Sequence, residues 1–277
     1  SQAAIYRAIE LNGVAVAANR AAFDSGRLAA HRPDALEGAL RPRAQVVQLH
    51  IPETFERAVA RRVEDLTAYQ DAAYAQAYRN VVDAVAARER ALAPDAKTPR
   101  LAMAVARGLY KLMAYKDEYE VARLYTGETF QAQLEGQFEG DYSLRFHMAP
   151  PIFARKDPRT GVPRKMTLGP RTMSALKLLT RLKGLRGTWF DPFGHTAERK
   201  MERALVTEYR QTIDQLLAGL TADNLAQAAT IAALAENIRG FGHVKAANVE
   251  KYRTDLARLM QSYTAPAPHA SALRKTA

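Results

Sequence analysis

The sequence predicts a mainly α protein, an irregular multi-helix assembly with a small extended or β insert around residues 141–170. Over most of the chain, apolar residues recur at a spacing near 3.6, which places them on one face of a helix. Prolines and glycines are concentrated between residues 139 and 170, where that spacing is lost. The apolar fraction of 48% is sufficient for a real core, and no repeat of fixed period indicates a solenoid.

The first part of the chain predicts a helix followed by a connector. Asn12-Gly13 interrupts the helical run, and Arg32-Pro33 ends it. Residues 45–49 of the connector predict a short strand. The apolar residues of the helix are Ile5, Ile9, Val16 and Phe23.

Two long helices are predicted next. Residues 53–92 contain no proline or glycine and predict one continuous helix. A second core helix is predicted from Thr98-Pro99, an N-cap followed by a proline, to about Gly127. Three tyrosines of the first helix, at positions 69, 74 and 78, allow two interpretations. They could form a stacking platform. The favoured interpretation is that they pack against a partner helix, with their hydroxyls reaching water.

The remaining elements follow from the same patterns. A short helical run precedes alternating apolar residues between Tyr142 and Met148, which predict a short strand before a basic loop. The helical pattern then resumes in four stretches, 171–183, 196–220, 222–238 and 244–263. We therefore divide the chain into a first helix at 1–31, a helical domain at 32–264 and a frayed tail at 265–277.

Composition limits the chemistry of the chain. It contains no cysteine, so by itself it forms neither a disulfide nor a thiolate-bound iron–sulfur or zinc site. No stretch approaches the roughly 20 uncharged apolar residues of a bilayer span, and the first residues do not resemble a signal peptide. We expect a cytoplasmic protein without a membrane partner.

The positive charge indicates an anionic partner. The net charge is +11, and residues 141–200 hold thirteen Lys or Arg against four acidic residues. Basic residues beside turns in this stretch can converge on a phosphate or carboxylate, although a solvated face is the common alternative. The candidate anion-docking residues are Arg145, His147, Arg155, Lys156, Arg164, Lys165 and Arg171.

No catalytic motif is evident. The sequence lacks a phosphate-binding loop, a nucleophile elbow and a His-Glu-x-x-His helix, and Gly240-Phe241-Gly242 lacks the third glycine of a dinucleotide fingerprint. The six histidines are dispersed, so no metal site is predicted. Asp117-Glu118, and Asp65 with Asp71, are interpreted as helix-surface ion pairs to neighbours such as Lys116 and Arg62. No catalytic residue is assigned.

Four stretches together resemble one family. AIELNGVAV at 8–16 resembles the closing helix of the gamma-type domain of 2-oxoacid:ferredoxin oxidoreductases. YKDEYEVARLY at 115–125, FEGDYSLRFHMAPP at 138–151 and LRGTWFDPFG at 185–194 are similar to the C-terminal region of bacterial fused indolepyruvate ferredoxin oxidoreductases. The resemblance implies that residues 1–31 close a preceding gamma-type domain.

The resemblance also implies the chemistry of a parent enzyme. Such enzymes use thiamine diphosphate with Mg, iron–sulfur clusters and coenzyme A to convert arylpyruvates to aryl-acetyl-CoA, and they reduce ferredoxin. This chain lacks the Gly-Asp-Gly…Asn motif for thiamine diphosphate and lacks cluster cysteines. The expectation is therefore a chain without its own cofactor, inactive alone, that packs on the catalytic domains of a homo-oligomeric parent.

Two classes of function follow. The first is a structural and interaction domain whose basic segment docks acidic ferredoxin or the phosphates of coenzyme A. The alternative is a nucleic-acid-binding module, suggested by an isoelectric point near 9.9. Against that alternative, no helix-turn-helix, zinc-finger or ribonucleoprotein motif is present, and Trp189 is the single tryptophan. A cofactor-independent enzyme built from scattered His and carboxylates also stays open.

Overall fold

The structure is a computed structural model that describes residues 1–34, 53–138, 140, 142–148, 164 and 166–264. The chain forms two compact units, 1–52 and 53–277. The predicted mainly α class is confirmed, because the described residues form eleven α-helices and one two-stranded antiparallel sheet. Within that described part, none of the helices has the length and apolar character needed to span a membrane.

The first unit contains two helices, α1 (Gln2–Asn12) and α2 (Val16–His31). Gly13 adopts a left-handed φ of 69° and ends α1, so the interruption seen in the sequence separates two helices. The ring of Tyr6 packs edge-on against that of Phe23, with centroids 5.9 Å apart. None of residues 1–34 is buried. The strand predicted at 45–49 lies outside the described residues.

The second unit begins with α3 (Phe55–Tyr69), α4 (Ala72–Leu92) and α5 (Arg100–Met113). The prediction of one continuous helix over 53–92 is wrong, because the chain breaks at Gln70 and Asp71. The Asp71 side chain accepts a hydrogen bond from the backbone N–H of Tyr74 (2.7 Å) and thereby caps α4.

The helix predicted from Thr98-Pro99 to Gly127 is divided in the same way. After α5, the chain turns and α6 (Glu118–Thr126) begins behind Asp117, whose side chain accepts from the backbone N–H of Glu120 (2.8 Å). A short α7 (Glu128–Gln137) follows. At both breaks an aspartate side chain caps a new helix. This local hydrogen bond competes with continuation of the preceding helix, and apolar periodicity does not indicate it.

The insert contains β1 (Phe146–Met148) and β2 (Met166–Leu168), which pair antiparallel with Phe146 opposite Leu168. The prediction of β1 is confirmed, whereas β2 lies where a basic loop was predicted. Phe146 packs with Ala122 and Leu176 in a small core of its own. Leu176 belongs to α8 (Thr172–Arg181), so this core joins the sheet to two helices.

The three last helices are α9 (Ala197–Ala218), α10 (Leu225–Ala233) and α11 (Gly242–Thr264), close to their predicted positions. A 3-10 turn at Leu234–Asn237 extends α10. Side chains of α3, α4, α5, α9, α10 and α11 form the main core of the second unit. The predicted tail at 265–277 lies outside the described residues.

Tyrosine hydroxyls connect the helices of this core. Tyr69 donates to the carbonyl oxygen of Tyr115 (2.9 Å), Tyr74 to that of Met113 (3.0 Å) and Tyr78 to that of Ala106 (3.0 Å). Packing against a partner helix is therefore confirmed, but the expected contact of the hydroxyls with water is wrong. The last carbonyls of a helix have no intrahelical partner, and Met113 closes α5.

Two further helix ends are satisfied in the same way. Tyr209 donates to the carbonyl of Ala232 near the end of α10 (2.9 Å), and Tyr263 donates to that of Leu216 near the end of α9 (2.7 Å). Gly108 of α5 lies directly beneath the first of these bonds, and a Cβ there would come 2.6 Å from the Tyr209 hydroxyl oxygen. The close approach of α5 and α10 therefore requires a glycine at this position.

We predict that Gly108→Ala destabilises the protein by up to about 2 kcal/mol, because overpacking of about 1–3 kcal/mol outweighs the roughly 1 kcal/mol that alanine gains over glycine in a helix. The matched control is Gly136→Ala in α7, where nothing lies within 4 Å of the added Cβ. That control should stabilise by up to about 1 kcal/mol. Urea denaturation followed by circular dichroism measures both. Equal effects of the two substitutions would contradict the close approach.

We also predict that stability falls steeply above about pH 10, where exposed phenols titrate. Burial is the main cause that raises the pKa of nine tyrosines, so the folded protein keeps phenolic protons that the unfolded chain loses, and the free energy of unfolding decreases as pH rises. Tyrosinate absorbance should therefore appear together with the loss of helical circular dichroism. Full ionisation of a native protein would contradict this. The nine are Tyr69, Tyr74, Tyr78, Tyr110, Tyr115, Tyr119, Tyr209, Tyr252 and Tyr263.

Candidate functional site

A buried ion pair joins two distant parts of the second unit. Arg186 donates from Nε to Asp117 Oδ2 (2.6 Å) and from Nη2 to Asp117 Oδ1 (2.9 Å), and the two side chains are only 5% and 3% exposed. Burial is the largest single influence on the pKa of Arg186 and would lower it, but the hydrogen bonds to Asp117 and the Coulombic attraction of neighbouring groups together outweigh burial and raise that pKa. Arg186 therefore stays charged inside the protein.

Arg186 makes two further hydrogen bonds. Its Nη1 donates to the carbonyl oxygen of Tyr69 (2.5 Å) and to Gln70 Oε1 (2.9 Å). Its guanidinium carbon lies 3.7 Å from the centroid of the Tyr69 ring. Because Asp117 caps α6 at the same time, one arginine joins the end of α3 to the start of α6.

The chain that follows Arg186 folds around a second buried carboxylate. Asp191 is 3% exposed. Its Oδ2 accepts from the backbone N–H of Gly187 (2.8 Å), and its Oδ1 accepts from the backbone N–H of Phe193 (3.1 Å) and the hydroxyl of Tyr119 (3.2 Å). A Cβ at Gly194 would lie 2.5 Å from Asp191 Oδ2, so only glycine fits there. The loop at 187–195 is thus held from inside.

This loop exposes two adjacent aromatic side chains. Trp189 is 84% exposed and Phe190 is 78% exposed. The carbonyl oxygen of Trp189 lies 3.1 Å from His195 Nε2, which fixes the backbone beside the two rings. An exposed apolar pair on a fixed backbone loses little conformational entropy on binding, and exposed apolar patches commonly mark interaction sites. We call residues 187–195 the aromatic loop.

The basic candidates from the sequence lie around the small sheet. Arg145 is exposed immediately before β1, and His147 is exposed within it, with Nδ1 3.1 Å from Thr167 Oγ1 across the sheet. Arg164 precedes β2, and Arg171 precedes α8, both exposed. Because Phe146 lies opposite Leu168, β1 begins at the end of the sheet where β2 ends; Arg145 directly precedes β1, and Arg171 follows β2 by three residues. Arg155, Lys156 and Lys165 lie outside the described residues.

The carboxylates have different roles from those expected. Asp117 is buried with Arg186, so its interpretation as a surface partner of Lys116 is wrong. Asp65 pairs with Arg123 (2.9 Å) instead of Arg62. Asp71 caps α4. Tertiary packing decides the ion-pair partners of Asp117 and Asp65, and local backbone geometry decides the cap at Asp71. The i, i+4 spacing along the sequence indicates neither.

The sequence patterns do not indicate the aromatic loop as a site, although Trp189 is the single tryptophan of the chain. The two stretches 115–125 and 185–194 that carry the family resemblance contain Asp117 and Arg186 respectively. That coincidence was the one available signal. Pairing them needed the fold, because 69 residues separate the two side chains.

Comparisons with known proteins give one match. A family model described as "family of unknown function (DUF6537)" matches residues 55–258, roughly three quarters of the 277 residues. The matched range contains the ion pair, the aromatic loop and the complete helices from α3 to α10. No curated protein and no solved structure shows significant similarity to the chain.

We predict that Asp117→Asn destabilises the protein by about 3 kcal/mol, because the buried guanidinium of Arg186 would lose its counter-charge. The matched control is Asp83→Asn, since Asp83 pairs with Arg79 on the surface (3.3 Å) and its loss should change stability by no more than about 0.5 kcal/mol. Adding Arg186→Met to Asp117→Asn should recover part of the loss. Urea denaturation tests all three, and equal effects at 83 and 117 would contradict the role of the pair.

Proposed function

The chain belongs to the DUF6537 family of unknown function, and we propose that it is a non-catalytic interaction domain of a 2-oxoacid:ferredoxin oxidoreductase that acts on arylpyruvates. The stretches 8–16, 115–125, 138–151 and 185–194 support the parent family through their resemblance to it. In this proposal the parent's catalytic domains hold thiamine diphosphate, Mg, the clusters and coenzyme A. The chain itself supplies contacts.

The observation that carries the interaction role is the aromatic loop. Trp189 and Phe190 are exposed while the backbone on both sides is held by the buried Asp191. Tryptophan is enriched among the residues that dominate binding energy at protein interfaces. Leu178 and Leu182, also exposed, lie just before the loop in sequence. A segment that buries its polar carboxylate and exposes its large apolar side chains is arranged for a partner.

The positive charge around the aromatic loop in the sequence supports an acidic partner. Exposed cations flank the aromatic loop in sequence at Lys177, Arg181 and Lys200. The wider segment 141–200 carries the thirteen-to-four excess of basic residues. We propose that acidic ferredoxin docks here, with Trp189 and Phe190 as the apolar centre and the cations as a steering rim.

The first unit supports a separate contact with the parent. None of residues 1–34 is buried, and four large apolar side chains of this unit are exposed: Ile5, Leu11, Val14 and Leu28. A helix pair without a buried side chain gains little from its own packing. We propose that these helices complete a preceding gamma-type domain.

We predict that Trp189→Ala with Phe190→Ala in the parent enzyme raises the KM for ferredoxin by about tenfold or more, because truncation of an interface aromatic typically costs at least about 1–2 kcal/mol. Indolepyruvate-dependent reduction of a small artificial dye should not change, since that acceptor needs no docking surface. Phe241→Ala is the matched control, as Phe241 is 68% exposed elsewhere in the sequence.

The assay is run at low and high salt. Ferredoxin reduction by the parent should weaken as salt rises, and the double variant should add to that loss. An unchanged KM for ferredoxin would overturn the docking role. A raised KM for coenzyme A alone would assign the loop to coenzyme A instead. Binding of single-stranded nucleic acid that depends on Trp189 would favour the nucleic-acid alternative.

A further inference from the structure

A second feature, outside the aromatic loop, is a cleft of about 280 Å³. It lies among the end of α5, the chain after it, the first half of α9 and the turn that leads into α11. Its volume is close to the lower limit for small-molecule sites. The lining residues are Lys111, Leu112, Ala114, Tyr115, Lys116, Glu202, Leu205, Ile238, Arg239, Gly240 and Lys245.

The single carboxylate of the lining is already neutralised. Glu202 is 4% exposed. One of its oxygens accepts from Lys245 Nζ, and the other accepts from Arg199, which lies outside the lining. Glu202 therefore has two cationic partners and no remaining charge to offer the other cations of the cleft.

Three cations of the lining form no ion pair with any residue that the structure describes. Lys111 Nζ and Arg239 Nε both donate to the same neutral acceptor, the carbonyl oxygen of Glu236, at 3.4 Å in the case of Arg239. Lys116 is exposed at the rim. Because both positive groups share one neutral carbonyl oxygen, two like charges lie close together and neither is paired with a carboxylate of the lining.

The pKa of Lys111 is consistent with this crowding of positive charge. Burial first, and then the charges of Arg239 and Lys245, lower the pKa of Lys111, while the Glu236 carboxylate offsets only part of this. Like charges held together are stabilised by a bound anion. The lining also has an apolar part, because Leu112, Leu205 and Tyr115 are buried residues that line the same cleft.

We propose that this cleft binds the phosphate monoester of a small apolar or aromatic molecule. The phosphate dianion would lie between Lys111, Lys116 and Arg239, none of which forms an ion pair within the described part of the chain. Lysine and arginine are the side chains that hold phosphate through charge-assisted hydrogen bonds. The apolar group would lie on Leu112 and Leu205. The site is independent of the proposed parent enzyme and of the aromatic loop.

The test uses phenyl phosphate as the probe, titrated into the full chain by isothermal calorimetry at low salt and about pH 7.5, where the phosphate, with a second pKa of about 6, is a dianion. We expect one site with a Kd on the order of 100 µM. Benzoate has one negative charge, and inorganic phosphate has no apolar group, so each should bind at least about tenfold more weakly. Equal binding of all three would overturn the proposal.

Variants locate the site. Lys111→Gln with Arg239→Gln should weaken phenyl phosphate binding at least about tenfold, without lowering the unfolding temperature, since it removes two like charges. The matched control, Arg210→Gln with Lys251→Gln, removes two exposed cations outside the cleft and should leave binding unchanged. Lys116→Glu at the exposed rim gives a second test that does not touch the core.

Two results would overturn the assignment. The first is binding that the control pair reduces as much as the cleft pair, which would mean that phenyl phosphate follows overall charge. The second is the absence of a calorimetric signal at millimolar phenyl phosphate. Each differs from a failure of ferredoxin docking, because neither measurement involves ferredoxin or the parent enzyme.

Discussion

Helices that end inside a core need partners for their last carbonyl groups, and buried or half-buried tyrosines supply them at three helix ends of the second unit. Tyr74, Tyr209 and Tyr263 each donate to a carbonyl in the final turn of another helix. Each bond fixes the distance between two helices as well as satisfying a polar group. The absence of a side chain at Gly108 of α5 leaves room for the Tyr209 hydroxyl and the Ala232 carbonyl that form one of these bonds. The helix arrangement follows from these pairings.

Arg186 satisfies a carbonyl group at the end of another helix, α3, in the same way. It donates to the carbonyl of Tyr69, just as tyrosines do elsewhere, and its remaining donors engage Asp117 and Gln70. The next residues then wrap around Asp191. A series of buried polar contacts therefore runs from the core to Asp191, within the loop that carries Trp189.

The two charged regions of the second unit differ in balance. Around Asp117 and Arg186, opposite charges and hydrogen bonds match, as a structural pair requires. In the cleft, Lys111 and Arg239 share one neutral carbonyl. A matched pair rigidifies the fold, whereas unmatched like charges retain an attraction for a ligand. The balance of charge in the folded protein therefore distinguishes the structural ion pair of Asp117 and Arg186 from the proposed binding cleft, and charge counts along the sequence do not.

The sequence by itself determined the mainly α class, the positions of most helices and the location of β1, because apolar periodicity reports directly which face of an element is buried. It also limited the chemistry of the chain through the absence of cysteine. Only the tertiary structure decided where the long helical runs break, since the capping aspartates at 71 and 117 compete with helix continuation. It alone decided which charges meet, because Asp117 and Arg186, or Lys111 and Arg239, are brought together by packing between elements that periodicity treats as independent.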